Sequence, residues 1–204
     1  MRFPKNRSRV VAATAVVVLL TAGWLAFKPS HKAPTTTSTP VTSQTTRATP
    51  ATKGADPAKL VTIEAADFKY AKPVGWAKIS QKTLDSIGAA SGIGRPTDPV
   101  ASFSINESDS IPKNNDELKN SVLSAPKHLQ NFELISSETL KIDGQGGQKF
   151  TYTFTDSTGN KITQQTSVVV YKQKAFILLF SSAAANYDKQ TGDFANILAS
   201  FHFK

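Results

Sequence analysis

FTYTFTDSTGNKITQQTSVVVYKQKAFILLF, residues 150–180, reads as three successive strands and sets the class of the fold. Phe150, Tyr152 and Phe154 alternate with Thr151, Thr153 and Thr155. That period of two gives one aromatic and one polar face, so a half-buried strand is expected. Residues 156–160, DSTGN, supply turn chemistry, and residues 162–171 resume the strand pattern, which makes a hairpin. Residues 175–180, AFILLF, are apolar on both faces, as suits a central strand covered on each side.

Outward from this stretch, residues 132–142 and 100–105 read as two more strands. Asn114 followed three residues later by Glu117 has the spacing of a helix cap, and Leu118, Val122 and Leu129 then share one face until Pro126 disturbs the end. A second helix starts near Asn186, with Tyr187, Phe194, Ile197, Leu198 and Phe201 on one stripe. A third is expected near residues 82–90. Strands, a helix, a meander of strands and a closing helix predict an α+β domain. Its expected form is an αβα sandwich with a mainly antiparallel sheet.

The sequence before residue 59 does not share this pattern. Residues 10–27, VVAATAVVVLLTAGWLAF, carry no charge and follow four basic residues within 1–9. As a helix this run spans about 27 Å, enough to cross a hydrocarbon layer. The basic flank places residues 1–9 in the cytoplasm and everything after residue 27 outside. An uncleaved signal anchor is the expectation; the alternative is a signal peptide cut near Thr21-Ala22-Gly23. Residues 28–58 are rich in Thr and Pro and have no aromatic residue, so a disordered stalk is expected. The remaining residues, 59–204, are enough to hide roughly 70% of their unfolded surface.

The net charge of +9 suggests nucleic acid until its distribution is read. Residues 59–204 hold 16 basic and 14 acidic side chains, so the excess lies in the tail and stalk, and no nucleic-acid partner is expected. With no cysteine there are no disulfides, thiolate metal sites, cysteine nucleophiles or lipid-modified cysteine.

Catalytic motifs are sparse. His31, His128 and His202 lack the paired spacing of a metal site, and no metal or other cofactor is expected. Asp156-Ser157-Thr158-Gly159 is one residue too long for an aspartic-protease motif and reads as a hairpin turn. Gly92-Ile93-Gly94-Arg95 and Gly144-Gln145-Gly146-Gly147 lack the strand-and-helix context of a phosphate loop and read as turns. Residues 106–117 gather Glu107, Asp109, Asp116 and Glu117 with three asparagines, a set of oxygen donors interrupted by Lys113 and best read as a solvated loop leading into a helix cap. Trp76, after Pro73 and Gly75, is either a core aromatic or a residue at a binding edge, where tryptophan is over-represented.

Three stretches together resemble the PsbP/Mog1-like superfamily: the opening FKYAKPVGW of residues 68–76, DGQGGQKFTY of residues 143–152, and the closing FANILASF of residues 194–201. The resemblance implies an αβα sandwich used as a binding or assembly module. The expected function is thus a non-catalytic, membrane-tethered, extracytoplasmic module that binds an envelope protein or a cell-surface polymer, with Trp76, Glu107, Asp109 and Asp116 as candidate binding residues. The alternative is a cell-envelope hydrolase using the carboxylates of residues 107–117 as acid and base.

Overall fold

A computed structural model of the chain describes residues 61–204. The expected basic tail, anchor and stalk, residues 1–9, 10–27 and 28–58, lie outside the described residues.

The domain is built on a seven-stranded antiparallel sheet in the order β3-β4-β5-β9-β8-β7-β6. In chain order these strands are β3 (Ala77–Lys78), β4 (Ser91–Arg95), β5 (Asp98–Ser108), β6 (Gln130–Ile142), β7 (Gln145–Thr155), β8 (Lys161–Tyr171) and β9 (Lys174–Ala183). A second, three-stranded sheet pairs β1 (Val61–Glu64) and β10 (His202–Phe203) with β2 (Phe68–Lys72). The helices are α1 (Gln81–Ile87), α2 (Asn115–Leu123) and α3 (Tyr187–Ala199). All five strands expected from the sequence form, and AFILLF sits in β9 at the middle of the large sheet, between β5 and β8.

Register assigns side chains to the two faces. Phe103 and Ile105 of β5 stand opposite Phe180 and Leu178 of β9, and all four are buried on one face. The small sheet and α3 cover that face with Phe68, Tyr70, Phe194, Ile197 and Phe201. Aromatic rings dominate this core: Phe180 stacks on Phe194 at 4.8 Å and Phe68 on Phe201 at 5.4 Å. The opposite face presents Phe150, Tyr152, Phe154 and Ile162, against which Leu118, Val122 and Leu123 of α2 pack. On that face α1 lies over β4, so helices flank the sheet on both sides.

Three expectations change. Thr151 and Thr153 are buried rather than solvent-facing, because the strand's polar side lies on the face covered by α3, where Tyr187 donates its hydroxyl to Gln165 Oε1 at 3.1 Å. Gly92 and Gly94 lie in β4, not in a turn; a Cβ on Gly92 would stand 3.0 Å from Ile79 and Leu84, so the glycine lets α1 approach the sheet. Asn106 to Ser108 belong to β5 rather than to a loop, since they continue its ladder with β9.

Turns confirm the hairpin reading and refine one part of it. Asp143-Gly144 joins β6 to β7 with positive φ at both residues, the two-residue turn that matches strand twist. Gly146 and Gly147 are then strand residues, and Gly147 leaves no room for a Cβ, which would collide with the Val168 carbonyl oxygen. Asp156 closes the β7–β8 turn by accepting from Thr158 N, Thr158 Oγ1 and Asn160 N.

Candidate functional site

The central strands set one transverse row on the α2 face: Asn106 of β5 opposite Ile177 of β9, Ile177 opposite Val168 of β8, and Val168 opposite Gln148 of β7. The next row is Ser108, Ala175 and Val170. Asn106, Val168 and Ala175 in these rows are buried, whereas Ile177 and Ser108 are half-buried and Val170 is exposed, so the sheet is only partly covered there. Ile177 is the one half-buried residue of the apolar run 175–180, whose other members are buried.

Two hollows result, one on each side of the loop that leads into α2, and both touch Pro112, Leu118 and Val168. The narrower, of about 300 Å³, lies between β5, β9 and α2 and has Ile177, Leu179, Val168 and Val122 among its walls. The wider, of about 700 Å³, opens toward β6 and β7 along Gln148, Gly146 and Val170. Ile111 and Val170, two of the exposed large apolar residues, stand at these hollows.

The loop is fixed by a reciprocal cap. Glu117 N donates to Asn114 Oδ1 at 2.8 Å, and the Glu117 carboxylate accepts from Lys113 N at 2.8 Å. The expected Asn114 cap is therefore present, and it positions α2 at the groove's edge.

Asn106 forms part of the wall. It is 6% exposed, and its Nδ2 donates to the carbonyls of Gly88 and Ile87 at 2.9 and 3.4 Å. Two carbonyl partners require the amide NH₂ on that side, leaving Oδ1 buried with no hydrogen-bond partner. Deeper in the sheet, Thr166 Oγ1 lies 3.1 Å from the Tyr152 hydroxyl.

The four candidate binding residues are dispersed. Trp76 is buried in the aromatic core, with Nε1 donating to Asp193 Oδ2 at 2.8 Å and its ring 6.4 Å from Phe180. Glu107 lies 3.3 Å from Lys174, whose ammonium also bonds Asp67 and holds the Asp67 carboxyl below the usual carboxylate range. Asp109 is an exposed residue just past β5, and Asp116 is exposed in the first turn of α2. None of these carboxylates bonds another candidate. Among the described residues no group of three or more His, Asp or Glu side chains could hold a metal ion. His202 contacts Asp143 at 3.0 Å on the surface, and His128 is exposed.

Sequence reasoning did not single out Asn106, Val168, Ile177 or Ser121 as site residues. The signal for Asn106 was its place in alternation: Ser102, Ser104, Asn106 and Ser108 form the polar side of β5 and suggest solvent. Burial of that side depends on α1 and α2, which no local pattern reveals.

The chain matches the PsbP family model over residues 61–203. A solved structure of PsbP from the cyanobacterium Synechocystis is similar at 20% identity and a TM-score of 0.52, covering 76% of this chain and 98% of its own. LpqN of Mycobacterium tuberculosis, described as involved in cell envelope biogenesis, shows 13% identity and a TM-score of 0.47, covering 74% of this chain and 99% of its own. A Pseudomonas aeruginosa protein of unknown function shows 14% identity and a TM-score of 0.45, covering 69% of this chain and 94% of its own. No curated protein matches the chain.

Proposed function

The chain belongs to the PsbP family across residues 61–203, and from that premise we propose that it is a membrane-tethered, extracytoplasmic binding module that holds an envelope component in the groove beside α2. The observation that carries this reading is the groove itself: a hollow of about 300 Å³ between the central strands and α2, walled by Val168, Leu179 and the half-buried Ile177 and bordered by the exposed Ile111. Its polar groups serve recognition, because no nucleophile, base and orienting group converge there.

The tether and its direction rest on the sequence. An uncharged run at residues 10–27 after four basic residues fits a single-pass anchor, residues 28–58 fit a stalk, and helices on both sheet faces suit the compact αβα sandwich at its end. The described chain enters at β1, in the small sheet that covers the α3 face. The groove lies on the other face, which directs it away from the point of attachment.

Two measurements test the proposal. Because the chain has no cysteine, single-cysteine variants report topology cleanly. Val74→Cys, 61% exposed, should react with a membrane-impermeant maleimide on intact cells, and Asn6→Cys only after lysis; the reverse pattern would refute the topology. A photo-crosslinking residue at Ile111 should capture an envelope component that the same residue at Ile135, exposed on the β6 edge, does not capture. Equal capture at both positions, or none at Ile111, would refute groove binding.

A further inference from the structure

Resting on the reading of the groove as the binding site, we infer that its wider hollow takes a phosphate or carboxylate oxyanion of the bound component, held by Lys141 with Thr139 and Gln148 beside the bare backbone of Gly146 and across from Lys113.

Register places the polar side chains. Thr139 of β6 stands opposite Gln148 of β7, which stands opposite Val168 of β8, so all three share the α2 face. Lys141, two residues on from Thr139, lies on that same face, opposite Gly146. Gly146 puts no side chain into its row, and a Cβ built there would meet nothing within 4 Å, so the floor beside Lys141 is open. Across the hollow, the loop before α2 contributes Lys113 and Asn114. The side-chain oxygen of Asn114 is engaged by Glu117 N, which leaves only its NH₂ to offer.

Charge selects the ligand. The lining holds two lysines and no carboxylate, and neither lysine makes an ion pair among the described residues. The acids nearest in the chain are engaged elsewhere. Glu138 pairs with Lys149 at 2.8 Å on the α3 side, Asp143 contacts His202 and accepts from Phe203 N of β10, and the Glu117 carboxylate folds back on Lys113 N. Asp116, exposed in the first turn of α2, stands alone against two ammonium groups. An ammonium donates and never accepts, so an oxyanion completes it through charge-assisted hydrogen bonds, whereas a cation would meet like charge. The narrower hollow offers mainly apolar walls, so recognition of charge falls to the wider one. Its volume of about 700 Å³ has room for a sugar-sized group that carries the anion.

The test titrates three pyranose probes of similar size, glucose 6-phosphate, glucuronate and glucose, into the full chain in lipid nanodiscs and reads the backbone amides of Gln148 and Val170 by NMR. At least one of the anions should give saturable shifts there, with an affinity about tenfold or more above that of glucose, and the tighter of the two identifies the held group as phosphate or carboxylate. Lys141→Gln, on an exposed side chain, should bring the anions to within about twofold of glucose, whereas Lys161→Gln, which removes the same charge at the β7–β8 turn, should leave them unchanged. Gly146→Leu should abolish the shifts with the fold intact, because its side chain fills open space. Glucose binding as tightly as both anions, equal weakening by the two lysine variants, or full affinity in Gly146→Leu would each overturn the inference while leaving the groove a binding site. Absence of any shift at these amides would overturn it too, and crosslinking at Ile111 would then judge the broader reading independently.

Discussion

Tyr70 and Tyr152 place phenols inside the domain on opposite faces of the large sheet, with hydroxyls 2.9 Å from Ser91 Oγ and 3.1 Å from Thr166 Oγ1. Burial pushes both up to about 12, from 10.0 in the open chain, against a smaller opposing effect of the hydroxyl partners. Between pH 10 and 12 the unfolded chain therefore releases protons that the folded domain retains, so stability is full below pH 10 and falls as pH rises through that window. Each phenol contributes a slope of about 1.4 kcal/mol per pH unit there. Denaturant titrations at pH 9 and 11 should show the loss, and Tyr70→Phe/Tyr152→Phe should flatten it at some cost in stability from the unpaired Ser91 and Thr166 hydroxyls. A second residue-scale expectation concerns the β8–β9 turn, where Lys172 and Gln173 both hold positive φ, 45° and 61°. Non-glycine residues pay roughly 1–2 kcal/mol for that conformation. Gln173→Gly should raise the melting temperature, by about 0.5–1 kcal/mol of stability after the entropy of the freer unfolded chain is subtracted. The β6–β7 turn has Gly144 at the equivalent place, within a glycine-rich run that reads as a turn in the sequence; Lys-Gln has no such signature, and only the strands on either side of it were readable.

At the scale of elements, α2 decides whether the groove exists. Its cap depends on Asn114, whose Oδ1 accepts from Glu117 N. Asn114→Ala should cost about 1 kcal/mol by thermal or urea unfolding. It should also raise hydrogen exchange at residues 115–118 before exchange in β8 and β9 changes, because the helix is held to the sheet by only a few apolar side chains, Leu118, Val122 and Leu123 among them. Equal acceleration in helix and sheet would show that α2 is not a separable unit. The elements themselves were largely readable: the five expected strands and three helices follow from alternation, cap spacing and the stripe of Phe194, Ile197 and Leu198. What escaped were the short strands. β1, β2, β3, β4 and β10 run two to five residues, too short for a period to register, and β4 carries glycines that ordinarily signal a turn. The site escaped for a related reason, since Asn106 becomes a buried wall only when helices distant in the chain fold over the polar side of β5.

For the whole molecule, the decisive contacts join residues far apart in sequence. β10 pairs with β2 across more than 130 positions, Phe203 opposite Phe68. Phe201, 1% exposed, fills the space between the two sheets, and Phe203 stacks on Tyr171 at 4.6 Å. Asp143 ties the same strand to the β6–β7 turn by accepting from Phe203 N and contacting His202, and those two partners hold its carboxyl below the usual range. Lys204 N bonds the Asp67 carbonyl, so the small sheet is closed from both directions. Such long-range closure is slow to form and is gained only when the rest of the core is in place. Removing residues 202–204 should therefore leave the seven-stranded sheet and its far-UV signal largely intact, while exchange of the β2 amides rises toward that of an unpaired edge and the melting temperature falls. Phe201→Ala should do more, about 3–5 kcal/mol, because it empties the centre of the aromatic core rather than its margin. If both variants lost far-UV and near-UV signal together at room temperature, the small sheet would be part of the folding nucleus and not a late cover. If removal of 202–204 left β2 exchange unchanged, β2 would be held by its pairing with β1 and by α3 alone, and β10 would contribute nothing to the integrity of the domain.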